Sequence, residues 1–254
     1  MRMLPRFVRF WIAGLAVPLY GAACASGGQR IEQLGADELF ERGMRAYQEK
    51  NWSEAIRSFE RFTLEFPTHP RIQEARFLHA DSYFGKKEYI TAASEFSRLA
   101  NDYPQGPWAD DARFKICESY YRLSPPVQLD QQYTQGAIDH CESLIAYYPT
   151  SPFVPRAKEM IRELRDKLAE KVFIAGEFYY RRNAYHPAIL YYEQVVKSHP
   201  TSGVVPKALL RIVQAYTRLG YKEEAEAAKQ QLLRDYPDSE EAAQVRAISL
   251  AGSS

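Results

Sequence analysis

The chain has 254 residues, 46% of them hydrophobic and 26% charged, with a formal net charge of +1. A disordered chain is poorer in apolar residues and a nucleic-acid binder carries a basic surplus, so this composition excludes both. Three cysteines are too few for a disulfide scaffold, and the 18 Tyr and 13 Phe form an aromatic surplus that needs a place.

Residues 1–23 hold Arg2, Arg6 and Arg9 and no acid, and their apolar run from Phe10 to Ala23 ends in small residues. A positive start, a short apolar core and small residues at the cut make a secretory signal. The run is short for a membrane span and contains Pro18. Gly21-Ala22-Ala23-Cys24 resembles a bacterial lipobox, with Gly21 where lipoboxes usually have Leu. On that resemblance Cys24 carries the lipid and begins the mature chain. Ala25 rather than Asp follows it, which in enteric bacteria favours transfer to the outer membrane. Loss of the three arginines leaves 30 basic against 32 acidic residues, a net charge of −2. Residues 24–35 read as a lipidated Gly/Ser/Gln tether.

An internal repeat follows. Phe66-Pro67, Tyr103-Pro104, Tyr148-Pro149, His199-Pro200 and Tyr236-Pro237 punctuate the chain. Twelve residues before each Pro stands an Ala: Ala55, Ala92, Ala137, Ala188 and Ala225. Five before stand Phe62, Leu99, Leu144, Val195 and Leu232, and eight before stand Phe59, Phe96, Cys141, Tyr192 and Lys229. Ala lets two helices approach closely, an apolar residue two turns later continues the stripe, and Pro stops the helix. The first helix of each unit carries Gly43, Ala80, Cys117, Gly176 and Val213 in register, followed three later by Ala46, Tyr83, Tyr120, Tyr179 and Tyr216. Asn51, Lys87, Asn183 and Gly220 stand at or near the turns.

The Pro spacings are 37, 45, 51 and 37 residues. The 45 reflects a loop from Ser124 to Gln132 in the third unit. The 51 adds 14 residues, close to four helical turns, so the fourth unit opens with one long helix within 153–183, Pro155 near its start. Ser239 to Leu250 reads as a capping helix with Asp238 or Ser239 as N-cap. The expected fold is all-α: a tetratricopeptide-repeat solenoid of five helical hairpins plus a C-terminal capping helix. Residues 36–151 hold repeats one to three, 152–250 hold repeats four and five with the cap, and 251–254 are a tail.

The stretch RELRDKLAEKVFIAGEFYYRRNAYHPAILYYEQVVKSHPTS, residues 162–202, resembles the BamD lipoproteins of the outer-membrane β-barrel assembly machinery. Lipobox, five repeats and length agree. The resemblance implies a lipid-anchored protein on the periplasmic face of the bacterial outer membrane. It also implies binding to the soluble domains of a BamA-like barrel assembly protein and reception of unfolded outer-membrane protein C-terminal segments. Family members often carry a basic residue near positions 191 and 192; here both are Tyr. A competing reading keeps fold and anchor but makes the chain an adaptor of another cell-envelope machine.

First helices of such solenoids line the concave face. There the spacing predicts an aromatic ladder with acidic rungs. Its client-binding part is Phe40, Met44, Tyr47, Phe77, Asp81, Phe84, Phe114, Glu118 and Tyr121 in repeats one to three. Phe173 continues it. Such a groove suits a peptide with aromatic side chains and a basic residue, unless the rings simply pack the hairpins. The partner-docking set is Glu177, Tyr180, Arg181, Arg182, Tyr185, Tyr191 and Tyr192. The bland reading of Arg181-Arg182 is that they complement a helix C-terminus. Cys117 and Cys141 are either two small buried hydrophobes or, after export, a bridge. The five His share no metal-binding or catalytic spacing, and Gly85-Lys86-Lys87 lacks the upstream Gly of a phosphate loop. The expectation is no enzyme, no metal, no small-molecule substrate, no nucleic acid and no cofactor beyond the lipid on Cys24.

Overall fold

The computed structural model describes residues 34–251. The signal segment, Cys24 and nearly all of the tether lie outside the described residues. Among those described, eleven helices follow one another: α1 (Ala36–Gln48), α2 (Trp52–Glu65), α3 (Ile72–Gly85), α4 (Tyr89–Asp102), α5 (Ala109–Leu123), α6 (Gln132–Tyr147), α7 (Val154–Tyr180), α8 (Tyr185–Ser198), α9 (Val205–Leu219), α10 (Lys222–Asp235) and α11 (Glu240–Ala251). The first ten pack chiefly on their neighbours in sequence, giving five hairpins, and the single closing helix α11 rests on both α9 and α10. This is the tetratricopeptide-repeat architecture that the spacing predicts.

The repeat register is the packing register. Ala55, Ala92, Ala137 and Ala188 are fully buried where the second helix crosses the first, and Ala225 is nearly so. In hairpins one, three and four the small residue of the first helix faces the eighth residue before the Pro. A Cβ on Gly43 would meet the Phe59 ring at 2.8 Å, and one on Gly176 would meet the Tyr192 ring at 2.5 Å. In hairpin three the same two positions are Cys117 and Cys141, joined as a disulfide with Cα atoms 4.8 Å apart. Both half-cystines are fully buried, so the site is a core contact and a covalent staple at once.

Four of the five hairpin turns share one device. Lys50, Lys87, Asn183 and Gly220 adopt positive φ. The next N–H then donates five residues back: Asn51 to Ala46 (2.8 Å), Glu88 to Tyr83 (2.9 Å), Ala184 to Tyr179 (3.1 Å) and Tyr221 to Tyr216 (3.0 Å). That bond satisfies a carbonyl left over at the helix end. In hairpin one the left-handed residue is Lys50, directly before Asn51. Asn51 instead caps α2, its side chain accepting from the Glu54 N–H at 3.4 Å.

Hairpin three replaces this turn with residues 124–131. Gln131 ties the loop to itself through Pro126 O (2.9 Å) and Leu129 O (3.0 Å). Lys167 and Lys171, one turn apart on α7, reach back to Ser124 Oγ (2.7 Å) and Leu129 O (2.6 Å). The 27 residues of α7 form one helix with Pro155 in its first turn. Ser239 caps α11, its hydroxyl accepting from the Ala242 N–H at 3.1 Å.

Candidate functional site

The ladder resolves into two rows with different fates. Phe40 and Phe77 are buried, so they correct the expectation of a groove lining. Phe40 packs edge-on against Phe59 (5.6 Å) and Phe62 (5.4 Å), and Arg71 lies 3.5 Å over its ring. Phe77 packs on Phe96 (5.3 Å) and on Trp108 of the next hairpin (4.7 Å). Phe114 is half-buried and stacks on Phe153 at 4.6 Å. Phe173 meets Tyr192 at 5.3 Å. A first helix touches both its own partner and the next hairpin, and this row sits where the two contacts meet.

The second row, Tyr47, Phe84, Tyr121 and Tyr180, is half-buried, as is Met44. Two of these rings meet acids across hairpin boundaries, one a predicted rung (Asp81) and one not (Glu163). The Tyr47 hydroxyl donates to Asp81 and the Tyr121 hydroxyl donates to Glu163. Burial and then the Asp81 bond hold the Tyr47 phenol far above its ordinary pKa; for Tyr121 the Glu163 bond leads and burial follows. Both are therefore donors near neutral pH.

A basic residue closes two of the boundaries. Lys115 lies 3.0 Å from Asp81, 3.4 Å from Glu118 and 4.4 Å over the Phe84 ring. Arg211 lies 2.7 Å from Glu177 and 5.0 Å over the Tyr180 ring. The two stand at the same register position, two before Cys117 of hairpin three and two before Val213 of hairpin five. Each clasps the acid and the ring of the preceding hairpin. The basic group expected from a client is thus already supplied by the chain at Asp81 and Glu177. The sequence held part of the signal: Lys115 and Arg211 each follow a unit whose first helix carries an acid, Asp81 or Glu177, although hairpin four, which follows Glu118, has Ile174 at that position.

The docking set lies in hairpin four, at the end of α7, in its turn and on α8. Tyr192 corrects the expectation of an exposed neighbour: it is fully buried, and its hydroxyl donates to Glu177 at 2.6 Å. It shares a register with Phe59 and Phe96, which already placed it in the core. Arg181 Nε donates to Glu177 O (3.2 Å) and Arg182 to Phe178 O (3.0 Å), so both complement the C-terminus of α7. Arg182 also covers the half-exposed Phe178 ring at 3.6 Å. Tyr191 stacks on Tyr179 (5.4 Å), and Tyr185 packs on Tyr180 (5.3 Å) and donates to Asn183 (2.8 Å). Phe178, His186 and Tyr221 were absent from the expected set. His186 and Tyr221 rings lie 5.8 Å apart, and Phe178 and Tyr221 are exposed. Two guanidinium groups and a row of rings therefore share this edge.

Among the described residues no group of His, Cys, Asp or Glu could hold a metal, and no helix is long and apolar enough to cross a membrane. Stacked helical hairpins in this register define a tetratricopeptide-repeat protein. Residues 32–232 match the family described as YfiO, outer membrane lipoprotein, and the chain belongs to that family. The outer membrane protein assembly factor BamD of Caulobacter vibrioides is 26% identical over 183 residues, 72% of this chain and 48% of that protein. The match thus spans about half the length of that relative. The BamD of Rickettsia prowazekii is 26% identical over 201 residues, 79% of this chain and 80% of that protein. A solved TPR2AB-domain structure of yeast Sti1 is 16% identical, with a TM-score of 0.45, over 85% of this chain and 83% of that one.

Proposed function

We propose that this chain is a non-catalytic scaffold of outer-membrane protein assembly, held at the periplasmic face of the outer membrane by lipid on Cys24. The match of residues 32–232 to the outer membrane lipoprotein family, whose relatives carry the name BamD, is the observation that supports this most. Hairpins four and five dock a BamA-like subunit through the turn edge. Arg181 and Arg182 offer charge there beside Phe178, Tyr185 and Tyr191, and interface energy concentrates in Tyr and Arg. Unfolded outer-membrane proteins meet hairpins one to three, where Met44, Tyr47, Phe84 and Tyr121 keep part of their surface in solvent.

The test is isolation of the native complex in detergent. A BamA-like barrel protein co-purifies with the parent chain, and Arg181→Glu with Arg182→Glu lowers its yield severalfold while the fold persists. Recovery of the chain in complexes without any barrel partner would overturn the reading and favour an adaptor of another envelope machine. For the client arm, Phe84→Ala weakens binding of barrel C-terminal peptides more than it lowers stability.

A further inference from the structure

The long helix α7 opens a gap between the third and fourth Pro turns. Two other pairs of Pro turns, 45 and 37 residues apart, bond directly: Tyr148 donates to Pro104 O (2.8 Å) and Tyr236 to Pro200 O (3.1 Å). Between Pro149 and Pro200 the spacing grows by 14 residues, roughly 21 Å of helix. The fourth turn is instead held by α7 itself, Asp166 accepting from the Gly203 N–H at 3.0 Å. Two adjoining clefts of about 360 and 510 Å³ open between α6, α7 and this turn.

Their floors are aliphatic, with Ile145 and Ile161 in one and Ile138 and Leu168 in the other. The Glu142–Arg165 pair (2.6 Å) lies between them and lines both. Lys158 and Arg162, one turn apart on α7, border the first cleft. Both are exposed, and among the described residues neither makes an ion pair. The acids nearby are engaged: Glu142 by Arg165 and Asp166 by the Gly203 N–H. An aliphatic floor beside two cations that make no ion pair, in a cleft lined by three bases and two acids, suits apolar side chains alternating with carboxylates.

We propose that this gap is a docking groove for a short extended protein segment of alternating apolar and acidic residues, separate from the ladder and from the turn edge of hairpins four and five. From Lys158 to Leu168 the floor runs about 15 Å along α7, room for about five extended residues. Apolar side chains enter the two clefts and carboxylates face Lys158 and Arg162.

The experiment uses the full mature chain and two fluorescein-labelled peptides, one with a Leu-Glu-Leu-Glu-Leu core and one with a Leu-Lys-Leu-Lys-Leu core. Fluorescence anisotropy reads binding, and hydrogen exchange reads its location. The acidic peptide binds at least tenfold more tightly than the basic one and protects amides of α6 and the first half of α7. Lys158→Glu with Arg162→Glu reverses that preference; both side chains are exposed, so the fold is retained. Equal binding of both peptides, a preference unmoved by the charge reversal, or protection confined to hairpins one and two would overturn the proposal. So would self-association of the parent chain that the same reversal abolishes, which would make the occupant a second copy.

Discussion

His79 is a weakness at the level of a single residue, because it is buried with its Nε2 unpartnered. Glu95 stands 4.0 Å from Nδ1 and the Tyr83 ring 5.2 Å away. Burial, and then the charge of Arg98, pull its pKa down from 6.5 to about 4. The folded chain therefore holds the imidazole neutral while the unfolded chain protonates it. Its contribution is fully present above pH 6.5 and is lost as pH falls from 6.5 toward 4. The loss amounts to about 3 kcal/mol. His79→Leu, which removes the orphaned nitrogen at similar volume, flattens that window in urea titrations at pH 4, 5, 6 and 7. A variant as acid-sensitive as the parent would assign the loss to other groups.

The hairpin elements explain what could be read in the sequence and what could not. The Ala register, the loop of hairpin three and the long α7 were legible because each is fixed by spacing along one chain. The direction of the ladder rings was not, since Phe40 and Phe77 face inward through contacts with a helix and with the next hairpin. Lys50 and Lys87 show the limit of a one-residue reading. Both hold positive φ, where a side chain strains the backbone and Gly does not. Lys50→Gly and Lys87→Gly each stabilise the chain by about 1 kcal/mol, net of the freedom Gly adds to the unfolded state, and thermal melts check this. The staple of hairpin three makes a second element-level test. Reduction, or Cys117→Ser with Cys141→Ser, costs about 3 kcal/mol, since the bridge closes a loop of 24 residues. Cys117→Gly with Cys141→Phe installs the pair that hairpin one uses, Gly43 against Phe59. It recovers part of that loss in denaturant titrations; no recovery would mean that the register alone does not specify the crossing.

Over the whole molecule the hairpins form a line in which each meets only its neighbours, so stability is a sum of hairpins and junctions. The junctions are unequal. The first rests on Tyr47 with Asp81, and the second adds Lys115 to that acid. At the third, α7 carries Glu163, which accepts from Tyr121 of α5, and the two lysine straps to the loop. The fourth depends on Arg211, which holds Glu177 and covers Tyr180. Arg211→Met keeps the aliphatic stem against the ring but leaves Glu177 with Tyr192 as its remaining hydrogen-bond donor. Charge-assisted bonds at a third of full exposure put that loss at about 1–2 kcal/mol. A line of units spends it locally. Hydrogen exchange in α9 and α10 accelerates about tenfold, while α1 to α4 keep their protection. Uniform acceleration along the chain would show a single cooperative unit instead. The proposed docking edge straddles this junction, where Phe178 of hairpin four and Tyr221 of hairpin five are both exposed. The same variant therefore weakens partner capture by loosening the relative placement of the two hairpins, without touching an exposed docking side chain.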